Sequence, residues 1–74
     1  MRESEIEKKL VSHIKKLGGI AYKFSSPNHK SVPDRLCVMP NGRAFFVELK
    51  TEGKAPTPLQ LHEHELLRSL GHTV

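Results

Sequence analysis

The chain is predicted to fold as one small α/β domain, a thin sheet of three strands with one helix before it and one after it. Three observations lead there. Apolar residues recur at helical spacing near both ends of the 74-residue chain, strand-like alternation fills the middle, and Pro40-Asn41-Gly42 separates two strand-like runs in the manner of a hairpin loop.

Segment 3–17 carries Ile6, Leu10, Ile14 and Leu17 on one helical face, and Gly18-Gly19 supplies the stop. Ile20, Tyr22 and Phe24 then alternate with Ala21 and Lys23, the period of a strand over 20–24. Residues 25–33 hold the serines, prolines and asparagine of a loop whose exposed basic tip is His29-Lys30. Strands are expected over 35–39 and 43–50. Proline at the second position of a type I turn, asparagine at the third and a left-handed glycine at the fourth make the three-residue loop between them. After a polar stretch containing Gly53, Pro56 and Pro58, a second helix is expected over 58–70. Its apolar stripe is Leu59, Leu66, Leu67 and Leu70, its N-cap Thr57, and Pro58 takes the first helical position. Gly71 reads as the second helix's stop, and His72-Thr73-Val74 as the opening of a further strand that is then cut short. The order is α-β-β-β-α-(β) in a single domain, residues 1–74, without linker or repeat.

Composition narrows the class of function. A domain this small buries only about 60% of the surface its unfolded chain exposes. With 36% hydrophobic residues and no tryptophan, the core is thin, and a second subunit or a ligand would add to its stability. Twelve lysines and arginines against eight aspartates and glutamates leave a net charge of +4, which favours a polyanionic partner. Lys8 and Lys15, opposite the first helix's apolar stripe, are equally well explained as a solvated face. The lone Cys37 excludes an internal disulfide and, set in an apolar run, reads as a small buried hydrophobe in a reducing compartment. No apolar run approaches the roughly 20 residues of a membrane span. The charged, helical N-terminus is not that of a signal peptide, so a cytoplasmic location is expected.

The hairpin then places chemistry. A three-residue loop pairs Met39 with Arg43, and stepping along both strands sets Asp34 opposite Glu48. Opposed side chains share a face with their bases about 4.5–5.5 Å apart. Lys50, two residues beyond Glu48, points to the same face. A two-residue Asn-Gly loop would instead set Asp34 against Leu49; Pro40 favours the longer loop. Like charges facing each other across a strand pair repel, so the two carboxylates call for a cation between them. Such oxygen ligands suit Mg²⁺ or Mn²⁺ rather than zinc. The histidines do not assemble a zinc site, since His62 and His64, two apart on a helix, project in nearly opposite directions. His29 beside Lys30 suits contact with a nucleic-acid backbone better than ligation, and His13 and His72 carry no argument.

An isolated Glu-Leu-Lys triplet is ordinary on a solvated strand; its setting distinguishes it. The N-terminal helix with Ile6-Glu7, the Gly18-Gly19 exit, Val32-Pro33-Asp34-Arg35, Phe45-Phe46-Val47-Glu48-Leu49-Lys50 and Pro58-Leu59-Gln60 follow one another over essentially the whole chain. Their joint order resembles the VRR-NUC family, the virus-type replication-repair nuclease domains of the PD-(D/E)xK superfamily, in its stand-alone phage or bacterial form. That resemblance implies a restriction-endonuclease-like core, a small mixed sheet flanked by helices and completed by a final strand. It implies a metal-dependent DNA endonuclease in which Asp34, Glu48 and the Leu49 backbone carbonyl bind Mg²⁺ or Mn²⁺. Lys50 would position or deprotonate the attacking water.

The family also places a glutamate of the first helix at the site. On a helical wheel of about 100° per residue, Glu7 flanks Leu10 and Ile14, whereas Glu5 points away from the stripe. Glu7, acting directly or through water, is therefore expected there. Glu3 also faces inward but lies in the first turn, where a carboxylate suits the positive end of the helix dipole. Gln60, beside Leu67, is expected to meet a phosphate or a metal-bound water, with a capping role as its alternative. Ser26, His29, Lys30 and Lys54 would contact DNA. The expected partners are branched DNA, such as a four-way junction, and a second copy of the chain. The expected setting is the cytoplasm of a bacterial or phage-infected cell. Two other readings are a non-catalytic nucleic-acid binding module and an RNA-directed nuclease of the same fold.

Overall fold

The computed structural model describes residues 2–74. Helix α1 (Glu3–Lys16) leads into strand β1 (Ile20–Lys23), then β2 (Arg35–Val38), a short 3₁₀ turn (Pro40–Gly42), β3 (Ala44–Val47) and helix α2 (Pro58–Ser69). The predicted order is thus present, with strands shorter than the sequence pattern suggests.

The strands form one sheet in the order β1-β2-β3, antiparallel throughout. The mixed sheet implied by a final strand is represented among the described residues by a single bond, in which the Phe46 N–H donates to the Thr73 carbonyl at 2.9 Å. Pairing of Arg35 with Val47, Leu36 with Phe46 and Cys37 with Phe45 is the register of the three-residue loop. The loop itself differs from expectation. Asn41 takes a left-handed conformation (φ 65°, ψ 27°) and Gly42 a second one (φ 74°), so the turn is not type I. Asparagine tolerates that region better than other side-chain-bearing residues. Register survives because it depends on the number of loop residues, and the Met39 N–H still closes on the Arg43 carbonyl at 2.7 Å.

Helix α1 covers one sheet face through Ile14, which packs with Ala21 and the fully buried Cys37, backed by Leu10, Phe45 and Val47. Its end is a Schellman motif: the Gly18 N–H donates to the Lys15 carbonyl and the Gly19 N–H to the Ile14 carbonyl, with Gly18 at φ 87°. Gly19 is needed for a second reason, since a Cβ there would lie 2.6 Å from the Val38 carbonyl oxygen.

Helix α2 starts in a capping box. The Thr57 hydroxyl accepts from the Gln60 N–H at 3.2 Å, and Gln60 Oε1 accepts from the Thr57 N–H at 2.9 Å. The apolar stripe expected on this helix is not the face it buries. Leu59, Leu66 and Leu70 are exposed, whereas Glu63 and His64 are buried. The inward row is Gln60, Glu63, His64 and Leu67, because α2 packs beside the charged end of the hairpin and presents polar groups to it.

Candidate active site

Stepping one residue beyond the Arg35–Val47 pair brings Asp34 opposite Glu48, just past the regular ends of β2 and β3. The ladder explains why regular pairing stops there. Alternate residues of β2 bond to opposite neighbours: the Asp34 carbonyl accepts from the Phe24 N–H on the β1 side, while Met39 bonds Arg43 on the β3 side. Continuing that alternation makes position 33 the next partner of Leu49. Position 33 is the fully buried Pro33, which has no N–H to donate. The Leu49 carbonyl therefore receives no ladder bond from it. The Leu49 N–H turns instead to a side chain, donating to Asp34 Oδ2 at 2.9 Å. Strand β3 was expected to run to position 50, and this substitution of a side chain for a backbone partner is why it ends at Val47.

Glu48 is buried to 8% side-chain exposure, with Oε2 at 3.7 Å from Lys50 Nζ and Oε1 at 3.5 Å from His64 Nε2. Neither Glu48 Oε1 nor His64 Nε2 has a hydrogen-bond partner. Burial, and then the Asp34 carboxylate as proton-sharing partner and as negative charge, push the Glu48 carboxyl up to about 7, against the pull of Lys50. Glu3 adds a further upward push. His64 is held below the usual imidazole range, chiefly by burial and then by Arg68 and Lys50. A buried carboxylate set against a second carboxylate fits a cation. Among the described residues no three His, Cys, Asp or Glu side chains gather as a complete cage. The remaining ligands of a bound ion would be a backbone carbonyl and water, which Mg²⁺ accepts more readily than Zn²⁺ does. An open cleft of about 450 Å³ adjoins Glu48, with Lys50, His64 and Arg68 also on its wall.

The other anticipated residues are distributed unevenly. Glu7 does not face the carboxylate pair: its Oε1 lies 3.8 Å from Arg35 Nη2, on the α1 side of the sheet. The first-helix carboxylate whose charge reaches Glu48 is Glu3, one turn before Glu7 on α1. Gln60 has its Oε1 engaged in the capping box, so its side chain serves the helix start rather than looking freely into the site. His29 is tied through Nδ1 to Glu63 Oε1 at 3.1 Å. Lys30 and Lys54 are exposed, and the Ser26 carbonyl receives the His29 N–H within the same loop.

Two residues at this site, Glu63 and His64, escaped the reading of the sequence. The available signal was Gln60 itself: once it faces the hairpin, positions three, four and seven residues on must follow.

No family model matches the chain. It is 58% identical over 74 residues to "Putative nuclease p44" of Acyrthosiphon pisum secondary endosymbiont phage 1, which covers all of this chain and 80% of that protein. A solved structure described as a VRR_NUC domain superposes with a TM-score of 0.92 at 37% identity, over 97% of this chain and 78% of the other. With the hairpin register, the Asp34–Glu48 pair and Lys50 in the order that the family's signature requires, the chain belongs to the VRR-NUC family of the PD-(D/E)xK nuclease superfamily.

Proposed function

We propose that this protein is a DNA endonuclease that depends on Mg²⁺ or Mn²⁺ and acts as a homodimer on branched DNA such as four-way junctions. The observation that carries the metal-dependent reading is the Glu48 carboxylate, buried against the Asp34 carboxylate with Lys50 next to its Oε2. Asp34, Glu48 and the Leu49 carbonyl would hold the ion. When bound, such an ion polarises the scissile phosphate and makes its water a better nucleophile. Glu48 gives up its proton to serve as a ligand. Lys50 contributes an ammonium where negative charge develops on the phosphate, and a donor that can orient the attacking water. Lys30, Lys54, Ser26 and the His29 loop supply phosphate contacts, which position DNA without reading its sequence.

The relative named as a nuclease and the VRR_NUC fold support phosphodiester hydrolysis. Self-association is supported by apolar residues left in solvent. Ile20, Tyr22 and Val38, at 54%, 52% and 39% exposure, share one sheet face by the β1–β2 register, and Leu59, Leu66 and Leu70 line α2. A two-fold dimer would bury such surface and offer two sites to a two-fold-symmetric junction.

The test is a cleavage panel of linear duplex, flap, nicked and four-way DNA, and matching RNA, with Mg²⁺, Mn²⁺ or EDTA. Asp34→Asn, Glu48→Gln and Lys50→Ala should each lower cutting by orders of magnitude with the fold retained. Full turnover in EDTA, or in Glu48→Gln, refutes the metal site. Binding without cutting identifies a recognition module. Equal cutting of duplex and junction by a monomer removes the dimer and junction preference alone.

A further inference from the structure

We propose that His64 is a positioning residue for Glu48: its Nε2–H holds Oε1, so that only Oε2, the oxygen beside Lys50, is offered to the metal ion. The inference rests on the reading of Glu48 as a metal ligand and adds to it a residue outside the Asp34, Glu48, Lys50 signature.

The starting observation is a pair of orphans. Glu48 Oε1 and His64 Nε2 are both buried, both lack any hydrogen-bond partner, and lie 3.5 Å apart. A good bond of this type closes at about 3.2 Å or less, so a shift of about 0.3 Å satisfies both. Bonds of this kind are often long before an active site is loaded and tighten on loading.

The imidazole is also well supported. Helix α2 is closed by the Thr57–Gln60 capping box at its start and a Schellman motif at its end, where the Gly71 N–H donates to the Arg68 carbonyl and the His72 N–H to the Leu67 carbonyl. The neighbouring Glu63 pins the helix to the 25–33 loop through His29 at 3.1 Å. A helix capped at both ends therefore carries His64 to the carboxylate. The two oxygens are then divided, with Oε1 toward His64 and Oε2 at 3.7 Å from Lys50 Nζ. Ligation through one oxygen would suit a small cation that keeps several waters, with Oε2 as the oxygen left to hold it. Direct ligation by His64 is disfavoured, because an imidazole is a better partner for Zn²⁺ or Cu²⁺ than for Mg²⁺.

The experiment measures binding of Mn²⁺ alone to the full chain, by calorimetry and electron paramagnetic resonance, for wild type, His64→Leu, His64→Gln and Glu48→Gln. His64→Leu keeps the packing and removes the donor, and should weaken Mn²⁺ by about 10–100-fold, the usual effect of losing such a partner. His64→Gln keeps an N–H in nearly the same place and should recover most of that loss. Wild-type affinity in a folded His64→Leu overturns the proposal while leaving the metal site intact. Wild-type affinity in Glu48→Gln overturns it together with the reading of Glu48. Should His64→Leu fail to fold, ¹⁵N spectra of the wild-type imidazole with Mg²⁺ decide: a protonated Nε2 is expected, and the Nδ1–H tautomer, with Nε2 on the ion, overturns the assignment.

Discussion

Replacing Glu48 by glutamine should stabilise the metal-free protein at neutral pH while abolishing its response to Mg²⁺. A carboxyl raised from 4.5 to about 7 is neutral in both folded and unfolded chains at low pH. As pH rises past 4.5, the unfolded chain releases its proton and the folded chain keeps it. Stability therefore falls until the folded carboxyl itself ionises near 7, and is level above. The full loss corresponds to about 3 kcal/mol, of which about 2 kcal/mol accrues between pH 4.5 and 6.5. His64 acts in the opposite sense, because its lowered pKa makes its contribution grow with pH up to about 6.5, the unfolded value. The diagnostic quantity is thus the difference between wild type and Glu48→Gln. Urea unfolding at pH 5 to 8, in EDTA and in saturating Mg²⁺, measures it. In EDTA the wild type should lose stability relative to the variant as pH rises. In Mg²⁺ the wild type should recover and the variant should not. A difference that is independent of pH in EDTA would refute the burial of Glu48 as the cause, and an equal response of wild type and variant to Mg²⁺ would refute the cation as its remedy.

Lys30→Ala should weaken DNA binding across sequences and lower the salt slope by about one, the loss of one phosphate contact, read by titration at several salt concentrations; a changed base preference would show that the loop reads bases. Gln60→Ala removes half of the capping box and should cost about 1 kcal/mol in thermal or urea unfolding while leaving cutting within a few-fold. Collapse of cutting at unchanged stability would place its amide in the chemistry. Gly19→Ala drives a Cβ to 2.6 Å from the Val38 carbonyl, which cannot retreat without breaking the β1–β2 ladder, and should cost about 2 kcal/mol or more. Unchanged melting would contradict the close approach of α1's exit to the sheet.

Local rules carried the sequence a long way. Helices, strands and the stops at Gly18 and Gly71 are written in periodicity and in residues with special backbone freedom, so they were legible without a fold. The convergence of Asp34 and Glu48 was legible too, because an antiparallel hairpin converts loop length directly into register, whatever dihedral angles Asn41 adopts. What the sequence could not decide was which side of each helix meets the sheet, and where. Four leucines suggested an apolar inner face for α2, yet it buries Glu63 and His64, since it docks where a charged pair needs neighbours rather than over the apolar core, which α1 already covers. The choice between Glu3 and Glu7 depended on how far α1 slides along the sheet, and the fate of Gln60 on whether its amide found Thr57 before anything else. Spacing along one element is set by the covalent chain and its hydrogen-bond period; the meeting of two elements is set by packing between residues far apart in sequence, and only the folded chain resolves it.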